Sequence, residues 1–509
     1  MKKIAITLFS LATILSGCTS DLDTEPKVEL PLDQLLAQDP SAIDGILSRL
    51  YATYALSSVE GPAESDISDD PGESPFLRGI INLQDFTTDA MKNRWGDDGL
   101  DQLTTASDWD ENNKFFRYLF NRIYYTIPQC NNLLFILENV DVENEEQVAA
   151  EVRFLRALAY YYMIDCFGKG PLATEENLNS TEQLPESSRQ DLFEFTENEL
   201  LEIIDVLPAS NNYGQANKAT AQMLLAKLYM NAEVYKGTAR YSDASTYISQ
   251  VINEGGYQLA NDFILNFSGD NDTSPEIIFP LLADAQTSQS YGNTTYIING
   301  NLSTETMTLS DFGATDGWTG HRATKAWYGL YGDLETTPDV RASYFWTEGH
   351  NYEMTDYKEW TDGYPSTKFR NSNFNGPTTP TSFSSTDFPL FRLADAYLMY
   401  AECALRGAGD MGQALDYVNQ VRSRANASTI SMGDLTLDFI LDERARELNL
   451  EGHRRTDLIR FGKFTGGSYL WPWKGNALNG AAIPSTYNLF PIPQSALEGN
   501  SNLTQNDGY

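Results

Sequence analysis

The chain has 509 residues, enough for one large elaborated domain or a few smaller ones. Asp and Glu number 71 against 35 Lys and Arg, and the resulting charge of −36 repels phosphate backbones and gives no polybasic grip on anionic lipid. With 41% hydrophobic and 12% aromatic residues the chain is expected to fold despite that charge, and its 28 Tyr and 8 Trp make it rich in amphipathic rings.

Residues 1–17 combine Lys2 and Lys3 with an apolar run, Ile4 to Leu15, that is too short to span a bilayer. Leu15-Ser16-Gly17-Cys18 resembles a bacterial lipobox, so 1–17 reads as a signal peptide and Cys18 as the lipidated N-terminus of the mature chain. The acidic stretch Thr-Ser-Asp-Leu-Asp-Thr-Glu behind it resembles the surface-export signal of Bacteroidota lipoproteins. Beyond Cys18 the cysteines are Cys130, Cys166 and Cys403, without a CxxC pair; Cys166 and Cys403 fall on apolar helical faces and read as buried thiols. His321, His350 and His453 stand far apart, which leaves zinc sites and Ser-His or Cys-His catalysis short of material.

The body is predicted to be one mainly α domain over 18–509. Ala149, Val152, Leu155, Ala159, Tyr162 and Cys166 follow helical spacing, and Gly168 supplies a stop. Ala221, Leu224, Leu225, Leu228 and Ala232 form a second face, with Ala244, Ile248 and Val251 as its partner. Leu393, Ala396, Tyr397, Tyr400, Ala401 and Ala404, then Met411, Ala414, Val418, Val421 and Ala425, repeat the pattern. Small Ala beside large Tyr or Leu suits a tetratricopeptide-like helix-pair scaffold, over 114–260 and 388–462. Residues 57–113 and 265–385 lack that period and read as long loops with a few short strands on one side of the scaffold, the usual place for function. The tail after Ile483, with Phe490-Pro-Ile-Pro493, is expected to end in extended chain.

Sugar recognition needs flat rings against C–H faces and planar polar groups for hydroxyls. Trp95, Trp109, Tyr291, Tyr296, Trp318, Trp327 and Trp360 lie in the loop-rich segments, and Asn93, Arg94, Asp97 and Asp98 crowd around Trp95. No GxSxG, P-loop or HExxH occurs, and with 71 acids a glycosidase pair can always be nominated, so its presence carries no information. Glu443, Glu447 and Glu451 with interleaved Arg read as a salt-bridged helix leading to Arg454, Arg455 and Arg460. No cofactor motif is present. Asp270 and Asp272 offer oxygen ligands that would suit calcium, without the full twelve-residue loop; a solvated acidic turn is the other reading.

Three blocks carry a family resemblance: Glu151-Val-Arg-Phe-Leu-Arg-Ala-Leu-Ala-Tyr160 with Phe167-Gly-Lys-Gly-Pro171, Phe388-Pro-Leu-Phe-Arg-Leu-Ala-Asp-Ala-Tyr397 with Ala401-Glu402, and Glu443 through Gly462. Together with Pro491-Ile-Pro493 they resemble the SusD/RagB family of outer-membrane nutrient-binding lipoproteins. Gly72-Glu-Ser-Pro-Phe-Leu-Arg78, Ser290-Tyr-Gly-Asn-Thr-Thr-Tyr296, Thr315-Asp-Gly-Trp318 and Tyr469-Leu-Trp-Pro-Trp-Lys-Gly475 are similar to its starch-binding members. The resemblance implies a non-catalytic glycan binder lying over a SusC-type TonB-dependent transporter. It implies Trp95, Tyr296 and Trp318 as an aromatic arc and Arg78 as a hydrogen-bonder. Asn93 stands where a first Trp of the arc would be, and the matching amide falls near Asp98. Those two departures set a laminarin-like β-1,3-glucan beside a starch-like one. A surface glycosidase and a protein-binding helical adaptor are the alternatives.

Overall fold

The computed structural model describes residues 32–67, 70–178 and 180–509; the signal peptide, Cys18 and the acidic stretch behind it lie outside them. Helices dominate and pack on their sequence neighbours. Lys114–Leu137 lies on Glu145–Cys166, which lies in turn on Arg189–Ile203. Lys218–Met230 pairs with Tyr241–Glu254, and the latter also packs on Leu393–Leu405. Leu393–Leu405 then carries Met411–Arg424 and Leu437–Leu448. This neighbour-on-neighbour order is that of a helical repeat.

The local causes are legible. Ser188 and Asp191 close a reciprocal capping box that starts Arg189–Ile203, and Asn217 with Thr220 does the same for Lys218–Met230. Gly168, at φ 76°, ends Glu145–Cys166 with its N–H on the Met163 carbonyl at 2.9 Å. Ala221, Ala244, Ala396 and Ala401 are fully buried and let backbones approach, while Tyr397 stacks on Tyr417 with centroids 4.4 Å apart. Cys130, Cys166 and Cys403 are free and buried, and burial pushes the Cys130 thiol up to about 12. Among the described residues no helix is long and apolar enough to cross a membrane.

Two short antiparallel pairs place the loop-rich parts. Ile277–Leu281 pairs with Phe388–Arg392, so the chain enters and leaves the long insertion through adjacent strands. Met91–Asn93 pairs with His321–Ala323 and joins the two loop-rich segments to each other. These segments also contain short helices that the absence of periodicity had hidden: Phe76–Ile81, Leu100–Thr105 and Thr294–Asn301. All eight residues of Thr294–Asn301 are buried, and a helix covered on every side has no amphipathic stripe to detect. The tail differs from expectation too. Pro493 is extended, at φ −58° and ψ 140°, but it caps the helix Gln494–Gly499, because proline is tolerated where a helix begins.

Glu443, Arg444 and Glu447 of Leu437–Leu448 are interior. Arg392 reaches Glu276 at 2.8 Å, Glu447 at 2.7 Å and Glu451 at 2.6 Å. Arg341, from the loop-rich part, reaches Glu443 at 2.9 Å and Glu447 at 2.8 Å, while Lys368 meets Glu451 at 2.5 Å. Removing one partner leaves an uncompensated buried charge, so Glu447→Gln should lower stability by about 3–5 kcal/mol in urea unfolding. Burial works to raise the Glu443 carboxyl, but Arg341, Arg446 and Arg422 outweigh it and hold it at about 2. A depressed folded value means stabilisation present above the unfolded value of about 4.3 and lost as pH falls from there toward 2. Melting temperature should therefore drop across that window, and Glu443→Gln should flatten the drop.

Candidate functional site

The junction of the loop-rich segments carries the candidate ring residues. Arg78 sits in Phe76–Ile81, which runs on into one π-helical turn, Asn82–Phe86; such turns recur at functional sites. The Arg78 N–H donates to the Gly292 carbonyl at 3.0 Å, and its Nη1 donates to the Gly72 carbonyl at 3.2 Å. Residues 72–78 and 290–296 thus lie against each other, close enough that a Cβ on Gly292 would come within 2.4 Å of Pro75. The Arg78 guanidinium lies 4.5 Å from the Tyr296 ring centroid and 5.8 Å from that of Trp95. The Glu73 and Asp97 carboxylates stand 3.5 Å from Nη2. Arg78 is 7% exposed, and its Nε and Nη2 find no hydrogen-bond acceptor in the protein.

The strand register sets Asn93 opposite His321. Asn93 Nδ2 lies 3.0 Å from His321 Nδ1, and His321 Nε2 lies 3.2 Å from the Tyr296 carbonyl. A carbonyl only accepts, so Nε2 carries the proton and Nδ1 accepts from Asn93. Burial, with the Arg78 charge nearby, keeps this imidazole well below its ordinary range and neutral. Asn93 Oδ1 in turn accepts the Trp95 backbone N–H at 2.7 Å. The His321 ring packs 4.9 Å from that of Trp95.

Trp95 and Trp318 are both half-buried, with ring centroids 6.3 Å apart. Trp95 Nε1–H donates to the Trp318 carbonyl at 2.9 Å, so what it shows to solvent is hydrocarbon. The next ring in the row is Tyr291, 6.5 Å from Trp318 and 43% exposed. The turn after Trp318 is forced: Thr319 has φ 52°, costly for a β-branched residue and held by its N–H on the Leu302 carbonyl at 2.9 Å.

Two sequence assignments change here. Tyr296 is 0% exposed, with its hydroxyl donating to Asn82 Oδ1 at 2.6 Å, so it supports Arg78 from inside and cannot present a face. Asn93 is likewise 0% exposed; its amide serves Trp95 and His321 and is closed to a ligand. Tyr291 occupies the surface place expected of Tyr296. Asp98 is exposed, while the neighbouring Asp97 is the acid that approaches Arg78. Trp109, Trp327 and Trp360 are core, Trp109 stacking on Tyr487 at 4.2 Å. His321 had no local signal, since its partners Asn93 and Tyr296 lie 228 and 25 residues away in sequence. At the acidic turn, Asp270 accepts the Phe374 and Asn375 backbone N–H groups and Asp272 is exposed. Among the described residues no three His, Cys, Asp or Glu gather to hold a metal.

Gly320 gives a direct test of this packing, because a Cβ there would lie 2.3 Å from Trp95 Cε2 without any positive-φ strain. Gly320→Ala should cost about 1–3 kcal/mol in thermal or urea unfolding and shift the indole emission. Gly332→Ala, at φ 73° with open space, should pay only the backbone term and leave the emission unchanged.

Comparison with known proteins agrees with the resemblance read from the sequence. Residues 339–509 match the SusD family, and residues 77–230 match a family described as starch-binding and associating with outer membrane. The starch-binding protein SusD of Bacteroides thetaiotaomicron is 33% identical over an alignment covering 99% of this chain and 98% of that protein. Among solved structures, a SusD superfamily protein of Parabacteroides distasonis superposes with a TM-score of 0.73 at 21% identity, over 92% of this chain and 99% of its own. Surface glycan-binding protein A of Bacteroides thetaiotaomicron, in complex with laminarihexaose, gives 0.71 at 22% identity over 92% and 99%. With a relative this similar over nearly the whole length, and with the same mainly helical architecture, the chain belongs to the SusD family.

Proposed function

We propose that this protein is a non-catalytic glycan-binding lipoprotein of the outer membrane, held by lipid on Cys18 and facing the cell exterior. It captures a neutral glucan, starch-like or laminarin-like, and passes it to a SusC-type TonB-dependent transporter. The observation that carries the reading is the row Trp95, Trp318 and Tyr291 at 6.3 and 6.5 Å spacing, with Arg78 beside it. Consecutive half-exposed rings suit the C–H faces of successive pyranoses. The Arg78 guanidinium, buried against Tyr296 and Trp95, holds the row from behind. The relatives support the two glucan classes, one named for starch and one solved with laminarihexaose. The buried Asn93 leaves the row without a further ring at that end, which is the reason both linkages are carried forward.

Calorimetry or affinity gels against starch, maltodextrin and laminarin test the reading. Retention of one of them, without release of reducing sugar, is expected; sugar release would turn the assignment to a glycosidase, and no retention at all to a protein-binding adaptor. Trp318→Ala should weaken binding of the retained glucan by about 5- to 150-fold, the loss of one stacked ring at about 1–3 kcal/mol.

A further inference from the structure

A second pair of half-exposed rings lies next to this row. Tyr357 and Trp473 are both half-buried and meet edge to face, with centroids 5.0 Å apart at 69°. Trp473 is held in the left-handed region, at φ 70° and ψ 5°, a conformation that a bulky side chain keeps only when its surroundings impose it. Those surroundings are visible. Its backbone N–H donates to the Ala477 carbonyl at 3.0 Å, and its Nε1–H donates to the Met354 carbonyl at 3.1 Å. With the indole N–H taken, the ring shows solvent only hydrocarbon, as Trp95 does.

Two ties place this pair beside Trp95. Lys358, the residue after Tyr357, pairs with Asp101, and its Nζ lies 5.2 Å from the Tyr357 ring centroid. The same Nζ would stand 2.8 Å from a Cβ on Gly96, the residue after Trp95. From inside, the buried Arg322 donates to the Gly320 carbonyl at 2.9 Å and to the Glu359 carbonyl at 2.7 Å, and also to that of Tyr357. Gly320 is the residue on which the Trp95 ring rests. One guanidinium therefore holds both the support of Trp95 and the loop that carries Tyr357. The charge of Lys358 is matched by Asp101.

We propose that Tyr357 and Trp473 form a second aromatic platform, continuous with the first past Gly96 and Lys358, that binds further sugar residues of the same neutral glucan chain. This rests on the glycan reading of the Trp95 row and adds to it a preference for long chains.

The test compares polymer with short oligosaccharide by calorimetry, using laminarin against laminaritriose and maltodextrin against maltotriose. Trp473→Ala and Tyr357→Ala should each weaken polymer binding about fivefold or more and leave trisaccharide affinity within about twofold of wild type. Trp318→Ala should weaken both. A wild-type-like circular dichroism spectrum and melting transition certifies that a variant is folded, and Tyr357→Ala stands in should Trp473→Ala fail to fold, since no indole hydrogen bond is lost there. Unchanged polymer affinity in the folded variants, or equal loss of polymer and trisaccharide, overturns the second platform while leaving the first. A wild-type protein that binds none of the four probes overturns the first reading, and this one with it.

Discussion

Arginines and carboxylates shut away from water hold the helical repeat and the loop-rich part together. Glu276 and Arg392 flank the strand pair through which the long insertion leaves and returns, Glu443 and Glu447 belong to a scaffold helix, and Arg341 and Lys368 come from the insertion itself. Each charge carries a desolvation cost that only its partners offset, so every element must be present in one arrangement for any of them to be satisfied. A second set of buried carboxylates ties the π-helical turn Asn82–Phe86 and the residues after it to the C-terminal part. Asp85 accepts the Leu450 and Gly452 backbone N–H groups at 3.0 Å each, and Asp89 takes both Arg454 and the Tyr469 hydroxyl.

The ring row rests on that frame. Three strand residues from each loop-rich segment pair, and the register alone brings Asn93 onto His321. From there the order is fixed outward: His321 neutral and hydrogen-bonded at both nitrogens, Asn93 on the Trp95 backbone, Gly320 under the Trp95 ring, and Trp318 accepting the Trp95 indole N–H. The residues that hold the site and those that show themselves to solvent are different residues. Side chains locked by buried partners make precise supports, whereas the rings left half-open are free to meet a ligand.

Much of the scaffold was legible because amphipathic helices advertise themselves. The faces through Ala149 to Cys166 and Ala221 to Leu228 fall in helices of the structure, while Ala232 opens the next short helix, Ala232–Lys236, and Gly168 ends the first of them as its conformational freedom predicts. The short helices were not legible, because Thr294–Asn301 is covered on all sides and a fully buried helix has no period in its polarity. Pro493 misled for a related reason, since a proline forbids the middle of a helix but suits its start.

Composition and helical spacing determined the fold class, because these depend on residue type and short-range order, and the resemblance carried by the motif blocks pointed to the family and to Trp95, Trp318 and Arg78. Which ring faces outward was decided only by tertiary structure. Tyr291 and Tyr296 are the same residue type five positions apart, and nothing local separates them. One is open to solvent and the other is fully buried under Arg78 with its hydroxyl on Asn82, a contact spanning more than two hundred residues. Burial belongs to the packed whole, and so does the role of each ring.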